Sequence, residues 1–249
     1  MLPRPLALLL LAALGTPGPA SADCESAPGP GVIWSGCDKR GVDLKGIDLR
    51  GAVFLRANLA GADLRGARLA GADLTLARLP EARLEDVRGS DARFVGADLS
   101  AARLDGAVLD RTSFDRAVLA GASLVGADLS GARLYQADLT GADLSDARMT
   151  RANLLQAQLR GARLAGVDLE GASLQRASLE DAVLSGARLR QANLEEASLL
   201  SADLSGADLS DAVLVKADLS DANLEGTVLD RARWINRRRC ANGSIGTCR

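Results

Sequence analysis

The chain has 249 residues, a formal net charge of −2 and no histidine. A near-balanced charge excludes both a polycation made for nucleic acid and a strongly acidic mimic of it. The lack of histidine removes the commonest general base and a common metal ligand at once, and with only three Phe, two Trp and one Tyr the interior must be built from Ala and Leu.

Residues 1–22 read as a secretory signal. Arg4 supplies the early charge, Leu6 to Leu14 is an apolar run too short to span a bilayer, and Ala20-Ser21-Ala22 is a small-residue cleavage site. The alternatives are a buried helix or a membrane anchor; Asp23 stands where lipid attachment at Cys24 would call for a small residue. Cleavage there exports a chain that starts near Asp23, with 29 basic and 32 acidic residues and no membrane span. Its destination is periplasmic or secreted.

Residues 23–41 form a short leader containing Pro28, Pro30 and several Gly. It cannot make a core of its own, so its expected role is an N-terminal cap over the next segment, with Trp34 as the plug. Residues 42–236 then repeat one five-residue rule without a break. Centres fall at every residue number ending in 4 or 9 from Leu44 to Trp234, which makes 39 repeats. Leu fills 33 of the centres, and Ala fills 33 of the positions two residues earlier.

Such a period suits neither a helix nor an ordinary strand. Five residues turn a helix by about 500°, so successive Leu would leave no buried stripe. In a strand, residues five apart point to opposite faces. Ala and Leu within one repeat are two apart and can share a face of a short extended segment. A corner before the next repeat resets the phase, and a chain that turns the same way each time becomes a coil with Ala and Leu inward. Gly occupies the second position after the centre in 17 repeats, where it permits turn geometry including positive φ.

Repeats such as Ala57-Asn58-Leu59-Ala60-Gly61 and Ala202-Asp203-Leu204-Ser205-Gly206 resemble the pentapeptide repeat family and its A-(D/N)-L-x-x signature. The resemblance implies an all-β fold, a right-handed quadrilateral β-helix with four repeats per coil and about ten coils. The stretches Val32 to Asp38 and Arg239 to Cys248 resemble the flanks of exported bacterial members, most of which have no assigned activity. The C-terminal cap is expected at 237–249.

Four cysteines allow three pairings. Cys24 and Cys37 precede the rod, whereas Cys240 and Cys248 follow it. A disulfide needs Cα atoms within about 7 Å, and a rod of that many coils is several times longer. The expected bonds are therefore Cys24–Cys37 and Cys240–Cys248, one clasping each end in an oxidising compartment. A zinc site is the weaker alternative, because the two pairs lie too far apart to form one four-Cys set. Solenoid ends expose unpaired edges that invite aggregation, and Trp234, the last centre, is expected to close the final layer. Arg237, Arg238 and Arg239 follow it, either as solvated charge on the cap or as a contact for an anionic polymer or lipid.

With four repeats per coil, residues 20 apart stack on one face. The column with centres 54, 74, 94 and onward holds all three Phe and Trp234. Its outward residues include Leu55, Val95, Tyr135, Leu155, Val215 and Ile235, with Leu76 beside them. This is the candidate interaction face, for self-association or a protein partner; Asp115, Gln175 and Glu195 interrupt it, and drift on a tolerant wall is the plainer explanation. Gly89 is the one centre with no side chain, so a kink, a bulge or a small cavity is expected there.

A convex rod with short corners offers no concave site for catalysis. No catalytic, cofactor-binding or metal-ligating residues are assigned, and no cofactor is expected. The reading is a non-enzymatic extracytoplasmic solenoid, a protein-interaction or structural scaffold of the cell envelope. The alternative comes from the resemblance: some cytoplasmic members are DNA mimics that bind type II topoisomerases, a role at odds with the signal and the balanced charge.

Overall fold

A computed structural model describes residues 23–249 of the chain; the signal expected at 1–22 lies outside the described residues. The fold is generated by its corners. Every second residue after a centre, from Gly31 to Arg231, has a positive φ. At a typical corner the N–H of Ala57 donates to the carbonyl of Phe54 at 2.9 Å, and Arg56 between them has φ 55°. A closing bond across four residues with positive φ at the third is the signature of a type II turn. Twenty of these corners between Gly31 and Arg231 carry Gly, and the others include Asp, Arg, Gln, Glu, Ser, Lys, Ala and Leu. None carries Val, Ile or Thr, whose branched Cβ is least compatible with the left-handed region.

Between corners the chain is extended just long enough to meet the coil above and below. Parallel bridges join each residue before a centre to the residue 20 further on, from Ile33↔Val53 to Val213↔Arg233. One coil therefore takes 20 residues, or four repeats. The bridges are isolated, so each wall is a ladder of single paired residues rather than a conventional strand. The coil geometry is already in place before Val42, since Ile33 and Asp38 bridge Val53 and Asn58.

The backbone donors of one repeat can be followed completely. Asn58 N–H donates to Cys37 one coil back at 2.8 Å, and Leu59 and Gly61 donate to Arg78 and Pro80 one coil forward at 2.6 and 2.9 Å. Ala62 donates to Leu59 within the corner at 3.0 Å. That leaves the N–H of Ala60, which finds Oδ1 of Asn58 at 3.3 Å. All seventeen Asp or Asn residues placed just before a centre from Asp38 to Asn223 make this bond to the residue just after it. Here lies the physical content of the D/N in the repeat: a short side chain whose oxygen reaches the backbone two residues on.

The core is a column of Leu and Ala with essentially no exposure, joined by Phe54, Phe94 and Phe114. Phe94 and Phe114 stack at 4.9 Å between ring centroids, and Trp34 tilts against Phe54 at 5.8 Å. Two of the inward positions usually held by Ala carry Thr, which adds a buried hydroxyl at each. Thr112 Oγ1 donates to the Gly89 carbonyl at 3.0 Å and Thr227 Oγ1 to that of Leu204 at 2.8 Å, so neither polar group is orphaned.

Gly89 does not produce the expected kink or bulge. The bridges Arg68↔Arg88 and Arg88↔Val108 are unbroken, and Gly89 N–H bonds to Val108 at 2.8 Å. A Cβ placed on Gly89 would meet Leu109 Cδ2 at 3.0 Å. The side chain of the next coil leans into the space, and dispersion favours that over an empty gap.

Both ends are clasped. Cys24 bonds Cys37 and Cys240 bonds Cys248, with Cα atoms 5.6 and 4.9 Å apart. Trp34 is buried under the N-terminal leader, its indole N–H donating to Ser26 at 3.2 Å, with the Lys39 ammonium 4.3 Å from its ring centroid. At the other end the tail folds back antiparallel over the last coil, through Val228↔Ile245 and Arg233↔Arg239. Trp234 is partly buried against the core there.

Candidate interaction surfaces

The outward residues of the repeat are those just before and just after each centre, together with the corner. Those just after the centre at 55, 95, 135 and 155 stack on one wall as Leu55, Val95, Tyr135 and Leu155, all partly buried. Leu76 and Ile235 are more open, at 43% and 38% exposure, whereas Val215 is buried at 3% and offers nothing to a partner. Leu76 lies over Gly96, whose Cβ, if present, would meet Leu76 Cδ2 at 2.8 Å.

Asp115 divides this wall for a structural reason. It is nearly buried, pairs with the guanidinium of Arg133, and accepts the Tyr135 N–H at 3.2 Å. Arg133 stands where an Asp or Asn would have capped Tyr135, so the carboxylate one coil back takes over that bond. Asp105 does the same for Val125 at 3.2 Å, above Ser123. Further along, the Gln175 side-chain oxygen is buried without a hydrogen-bond partner, in a shallow dent shared with Leu155, Arg176, Glu195 and Glu196. The wall therefore presents short apolar segments, Leu55 to Val95 and Tyr135 to Leu155, separated by polar steps.

Apolar exposure also occurs elsewhere. Val108, Val118 and Val183 are 36–39% exposed on other walls. All three sit just before a centre, a position that faces solvent as much as the one after it does. The alternation about each centre would have found them.

The charged residues are organised as ladders. Arg111 reaches Asp91 one coil back at 2.8 and 3.0 Å, and Arg231 reaches Asp211 at 2.9 Å. Glu196 is held between Lys216 at 2.8 Å and Arg176 at 2.9 Å, which pulls its carboxyl down to about 2. Asp48 and Asp63 also fall to about 2, chiefly through hydrogen bonds from Arg50 and Arg65. A carboxylate that receives a charge-assisted bond resists protonation.

In the arginine run of the C-terminal cap, Arg238 donates to the Cys248 carbonyl at 3.0 Å and Arg239 reaches Asp211 at 3.5 Å. Those two hold the tail in place, while Arg237 is exposed without a side-chain partner among the described residues. Among the described residues no three of His, Cys, Asp and Glu are grouped so as to hold a metal ion, and no helix is long and apolar enough to cross a membrane.

Comparison with known proteins places this geometry. The family model described as "Pentapeptide repeats" matches overlapping windows at 37–75, 67–104, 92–131, 127–166, 162–199 and 192–231. Among solved structures, the chain is similar to HetL, a pentapeptide repeat protein involved in heterocyst differentiation regulation from the cyanobacterium Nostoc sp. strain PCC 7120. The identity is 34%, covering 80% of this chain and 92% of that one, with a TM-score of 0.42. A pentapeptide repeat protein from the thylakoid lumen of Arabidopsis thaliana is 35% identical over 39% of this chain and 68% of its own, with a TM-score of 0.39. QnrB1, a plasmid-mediated fluoroquinolone resistance protein, is 20% identical over 75% of this chain and 90% of its own, with a TM-score of 0.38. No curated protein matches the chain significantly. The matched windows cover more than three quarters of the sequence, and the chain belongs to the pentapeptide repeat family.

Proposed function

We propose that the protein is a non-enzymatic extracytoplasmic solenoid that serves as a protein-interaction or structural scaffold of the cell envelope. In this reading residues 1–22 are a signal removed on export to the periplasm or beyond. Residues 23–41 cap a right-handed quadrilateral β-helix of about ten coils at 42–236, and 237–249 close it. The observation that carries the reading is the pair of end clasps, Cys24–Cys37 and Cys240–Cys248, on a rod whose walls run without an inserted loop. Disulfides persist in oxidising compartments, and a rod with regular walls is suited to presenting a surface.

The surface assigned to the partner is the wall bearing Leu55, Leu76, Val95, Tyr135 and Leu155, and the partner is a protein. Neither nucleic acid nor a cofactor has a place in this reading. Crosslinking in intact cells, followed by fractionation and identification of the neighbours, tests it. Recovery of the processed chain from the envelope with a crosslinked protein at Tyr135 supports the reading. Recovery of an unprocessed cytoplasmic chain bound to a type II topoisomerase would replace it with the DNA-mimic reading.

A further inference from the structure

Eleven repeats carry Arg just before the centre, where Asp or Asn elsewhere caps the amide just after it. The exchange removes an acceptor and adds a cation at the same place. The molecule itself shows what satisfies such a pair. At Arg133 the Asp115 side chain gives one carboxylate oxygen to the guanidinium and the other to the Tyr135 N–H, the latter at 3.2 Å. One carboxylate thus answers both the missing cap and the added charge.

Seven of the eleven arginines pair with an acidic side chain, whereas Arg78, Arg88, Arg93 and Arg233 form no ion pair among the described residues. Arg78 is followed two residues on by Pro80, which has no N–H to offer. Beside Arg88, the Ser90 hydroxyl donates to Asp110, so a carboxylate already stands next to that amide. Arg233 is bridged by the tail through Arg239. Of the four, Arg93 is left open. Its side chain is exposed, and neither its guanidinium nor the Val95 N–H has a hydrogen-bond partner among the described residues.

The surroundings select for an acidic group. Arg93 and Val95 line a shallow cleft of about 390 Å³ together with Arg111 and Arg133. The two carboxylates of the cleft are engaged: Asp91 by Arg111 at 2.8 Å, and Asp115 by Arg133 and Tyr135 in the coil above. Arg111 also meets Asp110, which leaves Arg93 as the one guanidinium of the cleft with no carboxylate of its own. Beyond Val95 stand two apolar side chains, Leu76 reaching over Gly96 and Leu55 two coils below. A carboxylate flanked by apolar residues matches both features. The charge-assisted bonds fix its orientation, and the apolar contacts add buried area.

We propose that Arg93 and the Val95 N–H form a carboxylate-recognition site for an Asp or Glu side chain, flanked by apolar residues, on the protein that docks against this wall. The proposal rests on the partner surface assigned above and gives it a point of chemical selection. The incoming carboxylate binds as Asp115 does at Tyr135, one oxygen to the guanidinium and one to the amide.

Titration of the purified, nitrogen-15-labelled protein tests it, followed through the Val95 amide resonance. The probe is the peptide acetyl-Leu-Glu-Leu-amide, and the controls are acetyl-Leu-Gln-Leu-amide and sodium acetate. The glutamyl peptide is expected to shift Val95 saturably in the millimolar range. Both controls should bind at least about tenfold more weakly, since one lacks the charge and the other the apolar flanks. Arg93→Asn should weaken the glutamyl peptide at least about tenfold as well. This variant restores the cap that Asn153 provides to Leu155 on the same wall, so its thermal midpoint should equal or exceed that of the wild type. A silent Val95, equal binding of either control, or a folded Arg93→Asn that binds as the wild type does would each overturn the proposal. Capture of a partner at Tyr135 in cells together with a silent Val95 would reject this site and spare the docking wall. A responding Val95 in a chain recovered unprocessed on a topoisomerase would do the reverse.

Discussion

Asp203 caps the backbone of Ser205: its Oδ1 accepts the Ser205 N–H at 3.0 Å, the one donor in that repeat with no backbone acceptor. The same bond recurs wherever Asp or Asn precedes a centre. Replacing such a cap by Ala should cost about 1 kcal/mol, the net worth of one hydrogen bond. Asp203→Asn should be close to neutral, because the oxygen is kept. The converse change, Arg163→Asn, supplies a cap to a repeat that lacks one and is expected to raise the thermal midpoint. Thermal melts of the three variants at neutral pH check this; equal midpoints for Asp203→Ala and Asp203→Asn would reject the capping role.

The corners carry a second expectation. Gly126 has φ 66° and nothing within 4 Å of where a Cβ would lie. A side chain there meets no neighbour, so any penalty comes from backbone conformation alone. Gly126→Val should destabilise by at least about 1–2 kcal/mol, the left-handed cost for an ordinary residue. Gly126→Asn should lose far less, since Asn tolerates this region. Urea denaturation midpoints rank the two.

Gly89 separates the repeat rule from the packing. By the rule, Gly89→Leu restores a missing centre and should stabilise. By the structure, Leu109 Cδ2 already occupies the space 3.0 Å from the new Cβ, so overpacking should destabilise by about 1–3 kcal/mol. Leu109→Ala should be worse than a typical centre-to-Ala change, which falls at about 2–5 kcal/mol, because the vacated space joins the one at Gly89. A gain in stability for Gly89→Leu would overturn this account.

The ladders predict a pH response with a definite sign. Asp48, Asp63 and Glu196 have carboxyls lowered to about 2 from ordinary values of 3.8, 3.8 and 4.5. A lowered folded value means that the unfolded chain binds protons first as pH falls. The stabilisation is therefore whole above about pH 4.5 and is lost between there and about pH 2. Melting temperature should be level from pH 7 to about 5 and then decline. In Glu196→Gln the decline should be shallower, and 1 M salt at pH 7 should lower the midpoint only slightly, because these pairs are exposed.

Reduction of the C-terminal clasp should act locally. Cys240 and Cys248 are eight residues apart and hold the tail that caps Leu229 and Trp234. Paired Cys240→Ser and Cys248→Ser changes should speed amide exchange at Leu229 and Trp234 while leaving central amides such as Leu129 protected, since a solenoid transmits stability only between neighbours. Exchange that quickened along the whole rod would show that the clasp governs global rather than terminal stability.

The repeat by itself determined the coil, the inward Ala and Leu, and the need for a corner. Period five is compatible with burial only if the chain turns in phase, and no tertiary information is required to see it. The pairing of Cys24 with Cys37 and of Cys240 with Cys248 was also within reach, because a rod keeps its ends apart. What only the tertiary structure decided depends on contacts 20 residues away. Asp115 caps Tyr135 from the coil below, Leu109 fills the space at Gly89, and Val215 is buried where its column position made it an outward residue. The C-terminal cap belongs to the same class, since the position of the tail follows from hydrogen bonds between Ser244 and Leu229 and between Arg238 and Trp234, not from the repeat rule. A local rule specifies each layer, whereas the distinctive sites arise between layers, where residues remote in sequence compete for the same donor or the same volume.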